Sequence, residues 1–288
     1  MAVDLRLLED HASFGGRVRR YEHVSRCCRG PMRFSIYLPK QTAMGPVPVV
    51  YFLAGLTCTE ETFMIKASAL RHAAEWGLAV VAPDTSPRQT GIENEARDWD
   101  LGAGASFYVD ATEEPWCRHY RMQRYITDEL PALVAASFPV DPGRQGLCGH
   151  SMGGHGALST GLRYPRRYRS LSAFAPVCAP SGTPWGQKAF RAYLGDDEAR
   201  WQDYDTVALL KARAGQALLP MLVDQGCDDP YLERELKTQW LEGLGGGALT
   251  LRWHLGYDHS YFFIATFIGD HLAFHAQHLG VGPRDPTP

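Results

Sequence analysis

The sequence lacks any apolar stretch approaching the roughly 20 residues that a membrane-spanning helix requires. Met1–Phe14 mixes acidic and basic side chains with its few leucines, so we expect no secretory signal peptide there. Neither sign of charge dominates, since 29 Lys and Arg residues stand against 32 Asp and Glu residues, for a formal net charge of -3. This balance excludes a strongly basic nucleic-acid-binding protein and a highly acidic disordered chain.

The cysteines are too few for a disulfide scaffold. The chain has seven cysteines, an odd and scattered set that does not make a disulfide framework. We therefore expect reduced thiols and a cytoplasmic protein. The sequence contains no internal repeat, no low-complexity segment and no linker, which predicts one domain over residues 1–288 with a loose tail over 280–288.

Short β-rich runs alternate with stretches of helical spacing along most of the chain. The predicted strands are Arg33–Leu38, Pro48–Leu53, Leu78–Ala82, Gln145–Cys148, Leu171–Ala175, Leu219–Val223 and Leu249–His254. The predicted helices are Glu60–Trp76, Tyr120–Ser137, Met152–Tyr164, Pro230–Leu241 and Tyr261–His278. This alternation predicts an α/β fold with a mostly parallel central sheet and helices on both faces. The long connection Asp84–Pro115 has little periodicity, and a loop of that length is usually functional.

Gly149–Gly153 reads G-H-S-M-G and fits the pattern G-x-S-x-G. A predicted strand precedes it and a predicted helix follows, which is the context of a nucleophile elbow. In that elbow the serine sits on a sharp turn, and the flanking glycines let neighbouring backbone approach closely. Ser151 is therefore the candidate nucleophile.

A serine nucleophile needs a histidine base that is oriented by an acid. In α/β-hydrolases the chain order is serine, then acid, then histidine. His155 lies one turn into the elbow's own helix, and His254 lies within a predicted strand. His259 follows the last predicted strand in a loop, where this fold presents its base, and we choose it.

Three further histidines, His271, His275 and His278, share one face of the last predicted helix. Histidines four residues apart can share a zinc ion, but no cysteine pair or carboxylate partner accompanies them. We expect this face to lie at the surface or against a partner, and we predict no metal site.

The acid should follow the predicted strand Leu219–Val223, and three aspartates compete for the role. Asp224 ends the strand and could brace the turn. Asp228 and Asp229 open the next predicted helix, so one of them could be its N-cap. Spacing alone does not separate Asp228 from Asp229.

An oxyanion hole requires two backbone N–H donors. One should come from Met152, the residue after the nucleophile, and the other from the loop after an earlier strand. The loop Leu53–Cys58 fits that description, and Leu56 is its expected donor.

Several long segments together resemble the S-formylglutathione hydrolase family, also called the esterase D family, and the resemblance runs roughly from residue 34 to residue 279. The segments that carry it are 53–60, 99–112, 149–156, 184–190 and 256–261. Ala54 stands where the family often has serine, and Ser106 where glycine is usual. The family's pattern around its acid matches Gly226–Leu232 and selects Asp229, with Tyr231 in place of the common phenylalanine.

This resemblance implies a cofactor-free, cytoplasmic and often dimeric enzyme with a small-molecule substrate. The implied reaction converts S-formylglutathione and water to glutathione and formate, with side activity on small carboxylesters. It also implies that Cys58, beside the oxyanion loop, makes the enzyme sensitive to thiol reagents without being its nucleophile. A formyl group would suit a cramped acyl pocket, for which Trp185 is a candidate wall.

Glutathione brings charged groups, and three cations could in principle meet its carboxylates: Lys66, Arg88 and Lys188. Most surface cations are merely solvated, so none of them is selected.

Two other hypotheses compete with that of an S-formylglutathione hydrolase. A general carboxylesterase, or an acyltransferase of the mycolyl type, would use the same residues. A second hypothesis is a non-catalytic binding protein on a hydrolase scaffold. An intact set of Ser151, Asp229 and His259 argues against it.

Overall fold

The computed structural model describes residues 5–282, in which nine strands form one sheet in the order β1-β2-β3-β5-β4-β6-β7-β8-β9. The strands are β1 Arg6–Ser13, β2 Gly16–Ser25, β3 Gly30–Leu38, β4 Val47–Leu53, β5 Ala79–Pro83, β6 Val140–His150, β7 Ser170–Phe174, β8 Met221–Gly226 and β9 Leu249–His254. The first three strands pair antiparallel, and β3 pairs antiparallel with β5. From β5 to β9 every neighbouring pair is parallel.

Helices cover both faces of the sheet. They are α1 Thr62–Lys66, α2 Ala69–Trp76, α3 Met122–Arg124, α4 Leu130–Ser137, α5 Met152–Arg163, α6 Pro184–Leu194, α7 Glu198–Trp201, α8 Thr206–Ala212 and α9 Tyr261–His278. A π-helical turn, Tyr125–Glu129, joins α3 to α4. The predicted fold class, a mostly parallel sheet between two helical layers, is confirmed.

Side chains of the central strands alternate between two buried cores, because successive residues of a strand point to opposite faces. In β4, Val49 and Tyr51 enter the core under α4, α5 and α6, whereas Val50 and Phe52 enter the core under α1, α2 and α9. The strand is buried along its whole length, as expected for a parallel strand covered on both sides. This packing fixes the strand ends from which the functional loops leave.

Two predicted helices are wrong in form. Glu60–Trp76 is not continuous, because Ser68 adopts a left-handed conformation (φ 56°) and separates α1 from α2. Pro230–Leu241 is not an α-helix but a π-helical turn, Leu232–Leu236, followed by a 3₁₀ turn, Thr238–Leu241. Lys237 lies between these two turns with φ 56°, which an α-helix does not allow.

Other elements have no counterpart in the prediction, namely β1, β2, α6, α7 and α8. The predicted strand Gln145–Cys148 is the end of the longer β6, and Asp224 lies inside β8 rather than after it. Of the predicted loose tail, residues 283–288 lie outside the described residues. Within residues 5–282, no helix combines the length and apolar character needed to span a membrane.

Candidate active site

Ser151 occupies a sharp turn between β6 and α5. Its backbone has φ 57° and ψ -120°, a region that residues with a side chain rarely adopt, at a cost of about 1–3 kcal/mol. Hydrogen bonds hold the turn in place: the Ser151 N–H donates to Phe174 O at 3.0 Å, and Val177 N–H donates to Ser151 O at 3.2 Å. The strained conformation is that of a nucleophile elbow.

Both glycines of the motif are required by close backbone approaches. A Cβ atom at Gly149 would lie 2.1 Å from Gly153 O, and one at Gly153 would lie 1.9 Å from Leu53 O. No side chain fits at such distances, so β6, α5 and the end of β4 pack against one another only because these residues are glycine. The elbow thereby sits directly against the loop that follows β4.

Asp229 and His259 form the carboxylate–imidazole pair of the site. His259 Nδ1 lies 2.6 Å from Asp229 Oδ2, and the Asp229 side chain is fully buried. Gln225 Nε2 also donates to Asp229 Oδ2 at 3.2 Å, and Tyr231 N–H donates to Oδ1 at 2.9 Å. Asp228, in contrast, is exposed. The structure thus places Asp229, and not Asp228, against His259.

The His259 ring adjoins the elbow through His150, the residue before the serine. The centroids of these two imidazole rings are 4.5 Å apart, and the Tyr231 ring contacts His259 edge-on at 5.0 Å. Burial holds the pKa of His150 well below its usual range, so His150 is neutral beside His259. Because Nδ1 of His259 is engaged by Asp229, Nε2 is the nitrogen that can exchange a proton with a substrate or nucleophile.

The loop after β4 reaches the elbow as expected of an oxyanion loop. A Cβ atom at Gly55 would lie 3.1 Å from Ser151 Cβ. Tyr108 Oη donates to Ala54 O at 3.0 Å and Thr57 N–H donates to Gly104 O at 2.9 Å, so the long connection after β5 buttresses this loop.

The two expected oxyanion donors are available for a ligand. Among the hydrogen bonds formed within residues 5–282, none uses the N–H of Leu56 or of Met152 as donor. Met152 is the first residue of α5, where the helix dipole favours negative charge. The arrangement can therefore stabilise an anion that develops next to Ser151.

Cys58 lies at the far end of the same loop and is partly buried. Burial raises the pKa of its thiol. Its carbonyl accepts hydrogen bonds from Thr85 Oγ1 at 2.6 Å and from Arg88 Nη2 at 3.0 Å. Arg88 also pairs with Asp84 at 2.8 Å, so this cation has a structural role and is not free to meet a substrate carboxylate.

Trp185 stands near the site, but not against the catalytic histidine candidate. Its ring lies 4.9 Å from Tyr231, which separates it from His259, and 5.4 Å from the ring of Trp99. Lys188, one turn further along α6, pairs with Asp98 at 3.0 Å and also with Asp100. The third predicted cation, Lys66, is exposed at the end of α1.

The expectation of a surface-facing histidine face on α9 is wrong. His271 and His275 are fully buried, because α9 packs directly on β7 and β8. His275 bridges Ser170 Oγ (2.7 Å) and Ser172 Oγ (2.8 Å), and burial lowers its pKa to about 3. His278, one turn later, is partly buried.

His271 belongs to a second carboxylate network, centred on Asp224. His271 Nε2 lies 3.3 Å and His254 Nε2 lies 3.2 Å from Asp224 Oδ2, and Arg252 makes two hydrogen bonds to the same carboxylate at 2.6 Å. Burial raises the pKa of Asp224, but the close contacts with His271 and the hydrogen bonds from Arg252 outweigh it and lower the pKa to about 2.

Sequence reasoning missed the supporting roles of His150 and Gln225. Gln225 connects Asp229 to Thr238, whose Oγ1 donates to Gln225 Oε1 at 2.6 Å. The role of Gln225 could have been suspected, because it is a polar residue near the end of a buried strand and shortly precedes the acid. No local pattern indicated that His150 would lie against His259.

The site combines three features. A strained serine ends a parallel strand, a helix begins directly after it, and an acid–histidine pair follows later strands. The chain is an α/β-hydrolase with a serine nucleophile elbow.

Comparison with known proteins narrows this class. The Esterase family model matches residues 25–274. S-formylglutathione hydrolase of Mus musculus is 48% identical over 279 residues, covering 96% of this chain and 99% of that protein. The enzyme of the same name from Paracoccus denitrificans is 48% identical over 97% of this chain and its own full length. The chain belongs to the S-formylglutathione hydrolase family of esterases.

A solved structure supports the same assignment. The S-formylglutathione hydrolase from Agrobacterium tumefaciens superposes with a TM-score of 0.92 at 45% identity, covering 95% of this chain and 99% of that chain.

Proposed function

We propose that this protein hydrolyses S-formylglutathione to glutathione and formate, with side activity on small carboxylesters. The observation that carries the proposal is the pairing of Asp229 with His259 next to a strained Ser151, in a chain that matches S-formylglutathione hydrolases over 96% of its length. The reaction is acyl transfer through a covalent formyl-serine intermediate.

In the first half-reaction, Ser151 Oγ attacks the formyl carbon while His259 Nε2 takes the hydroxyl proton. Asp229 holds the imidazole through Nδ1 and stabilises the imidazolium that forms. The N–H groups of Leu56 and Met152 bind the oxyanion of the tetrahedral intermediate. The carbon–sulfur bond then breaks, and the departing sulfur takes the proton from His259.

In the second half-reaction, water replaces the thiol. His259 takes a proton from the water as its oxygen attacks the formyl carbon, and the same two N–H groups bind the new oxyanion. The bond between carbon and Ser151 Oγ breaks, the serine regains its proton from His259, and formate leaves. No group beyond the chain and water is needed for the balance of this step.

The surroundings of Ser151 favour a very small acyl group. The residue is only 3% exposed, and a Cβ atom placed at Gly55 would lie 3.1 Å from Ser151 Cβ, closer than ordinary van der Waals contact. An acyl group bound to Oγ therefore has little room, which suits formyl better than longer acids.

We also propose a cytoplasmic location, which is supported by the state of the cysteines: all seven are free thiols, as in a reducing compartment. The homodimer implied by the resemblance stays a prediction.

The test of the function is a comparison of kcat/KM for S-formylglutathione and for p-nitrophenyl acetate. Because binding energy of the peptide part can be used at the transition state, we expect the thioester to be preferred by about 100-fold or more. Equal values for the two substrates, or a preference for the plain ester, would identify a general carboxylesterase instead.

A further inference from the structure

We propose that a cavity beside His259 binds the peptide part of the departing thiol, a tripeptide that carries one ammonium and two carboxylate groups. This inference rests on the function proposed above. The cavity, here called the peptide cavity, has a volume of about 500 Å³. Three aromatic rings, two cations and two carboxylates line it, supplied by α6, by the long connection after β5 and by the segment after Asp229.

The position of the peptide cavity follows the path of the leaving group. His259 must deliver a proton to the departing sulfur, so the thiol leaves along the His259 side of the site. Tyr231 stands at that side, with its ring edge-on to His259 at an interplanar angle of 80°. The Tyr231 ring is in turn a wall of the peptide cavity, next to Trp185. A chain that extends from the sulfur across Tyr231 therefore enters this cavity.

An exposed indole ring forms the outer wall. Trp99 is 54% exposed, although its edge is fixed against Trp185 at an interplanar angle of 89°. A large aromatic side chain left open to water at the rim of a cavity is typical of a surface that a ligand covers. Peptide planes and methylene groups can pack on such a ring.

The charges lining the cavity match a zwitterionic ligand. Glu235 is nearly buried and accepts a hydrogen bond from Trp185 N–H at 2.9 Å, and Asp100 pairs with Lys188. Arg234 contacts Glu235 through Nε at 3.3 Å, but its side chain is 77% exposed. The remaining guanidinium N–H groups are therefore accessible, and they can bind a carboxylate of the tripeptide in the two-point geometry that arginine favours.

The first experiment replaces cavity residues in the full-length protein. Arg234→Gln and Trp99→Ala should each raise the KM for S-formylglutathione about tenfold, with kcat within about twofold, because each removes binding that is equal in ground and transition states. The loss of kcat/KM for p-nitrophenyl acetate, which has no peptide part, should be much smaller.

The matched control variants replace an exposed arginine and an exposed tryptophan elsewhere on the surface. Arg166→Gln removes an exposed arginine and Trp240→Ala removes an exposed tryptophan, and neither residue lines the peptide cavity. Both should keep the parent KM for the two substrates.

A second readout is independent of chemistry. S-methylglutathione carries the peptide but has no acyl group, and it should inhibit p-nitrophenyl acetate hydrolysis competitively. Its inhibition constant should rise about tenfold in Arg234→Gln and in Trp99→Ala, which corresponds to about 1.4 kcal/mol.

The experiments distinguish a failure of the proposed function from a failure of the peptide cavity. A parent enzyme that does not prefer S-formylglutathione contradicts the proposed function. A parent enzyme that prefers it, while both cavity variants keep the KM and the inhibition constant within twofold, overturns the peptide cavity alone. Equal losses with both substrates would likewise overturn it, since they would indicate a structural effect of the substitutions.

Discussion

Asp224 and Asp229 both come from the β8 region, and each has a histidine nitrogen within 3.3 Å, but their surroundings differ. His271, the partner of Asp224, is fully buried and stacks on Phe174 at 3.7 Å. His259, the partner of Asp229, is 15% exposed and adjoins the serine elbow. Of these two buried carboxylates, Asp224 connects β8, β9 and α9, and Asp229 is the one that we propose to orient the base.

A carboxylate–histidine pair does not by itself mark an active site. Arg252 makes two hydrogen bonds to Asp224, so its charge is already compensated within the fold. The Asp229 carboxylate is engaged mainly by hydrogen bonds from His259, Gln225 and a backbone N–H. A functional role requires a nucleophile and open space next to the histidine, and those conditions hold at His259 alone of the two.

The largest expected effect is that of Ser151→Ala. Loss of a triad nucleophile typically costs on the order of a million-fold in kcat, and the Asp224 network cannot replace it. Steady-state kinetics on the pure variant, with the parent as control, measure the loss. Activity near that of the parent would exclude the serine mechanism.

The next effect separates the two adjacent aspartates. Asp229→Asn should lower kcat by about 10⁴-fold, because the amide no longer fixes the imidazole tautomer. Asp228→Asn is the matched control and should stay close to the parent, since Asp228 is exposed. The assignment is wrong if Asp228→Asn is the crippling change.

Acid should lower the stability of the fold through two buried groups, His275 of α9 and Asp224 of β8. The pKa of His275 is lowered to about 3 from its ordinary 6.5, so the unfolded chain binds a proton there that the folded chain does not. Stability is therefore full above pH 6.5 and falls as the pH drops toward 3. Asp224, with its pKa lowered to about 2 from 3.8, adds a further loss below pH 3.8.

Urea unfolding at several pH values measures this effect. Between pH 6 and 4 the free energy of unfolding should fall by about 1.4 kcal/mol per pH unit from His275 alone. His275→Gln should flatten the profile by that amount. A parent profile that is level from pH 7 to pH 4 would contradict the buried, neutral histidine.

The smallest effect concerns Cys58. Cys58→Ala should keep at least about half of the activity, because the residue supplies no reacting group, and it should resist N-ethylmaleimide. The raised thiol pKa also predicts that the parent is inhibited faster at pH 9 than at pH 7, since the thiolate is the reactive form. Cys117→Ala, which lies outside the loop after β4, is the control and should be inhibited like the parent.

Two results would contradict the interpretation of Cys58. If Cys58→Ala is inhibited as fully as the parent, the sensitive thiol lies elsewhere. If the variant is as inactive as Ser151→Ala, Cys58 has a chemical role.

The parallel strands of the core and the nucleophile elbow could be predicted from the sequence because local patterns indicate them. Apolar runs mark β4 and β5, and G-x-S-x-G marks Ser151. β1 and β2 were missed because these antiparallel strands at the sheet edge are rich in charged residues such as Asp10, Arg17 and Arg19, which pair with one another. These cross-strand ion pairs interrupt the apolar alternation that marks a strand, although Tyr21 of β2 is buried in the core.

The role of the α9 histidines could not be read from spacing. Their partners, Ser170, Ser172 and Asp224, lie on β7 and β8, far away in sequence. Periodicity places three histidines on one helix face but does not say what that face meets. The choice of Asp229 over Asp228 had the same limit, since spacing left both open.

The most direct test of the account compares Asp229→Asn with Asp224→Asn, measuring kcat and Tm for both under conditions in which both are folded. We expect Asp229→Asn to lose about 10⁴-fold in kcat with a Tm within a few degrees of the parent. Asp224→Asn should keep kcat within about tenfold of the parent. Its free energy of unfolding should fall by about 3 kcal/mol, which corresponds to a fall in Tm of about 6 °C, because Arg252 loses its buried partner. A folded Asp224→Asn with the larger loss of kcat, or an Asp229→Asn with near-parent kcat, would contradict the account.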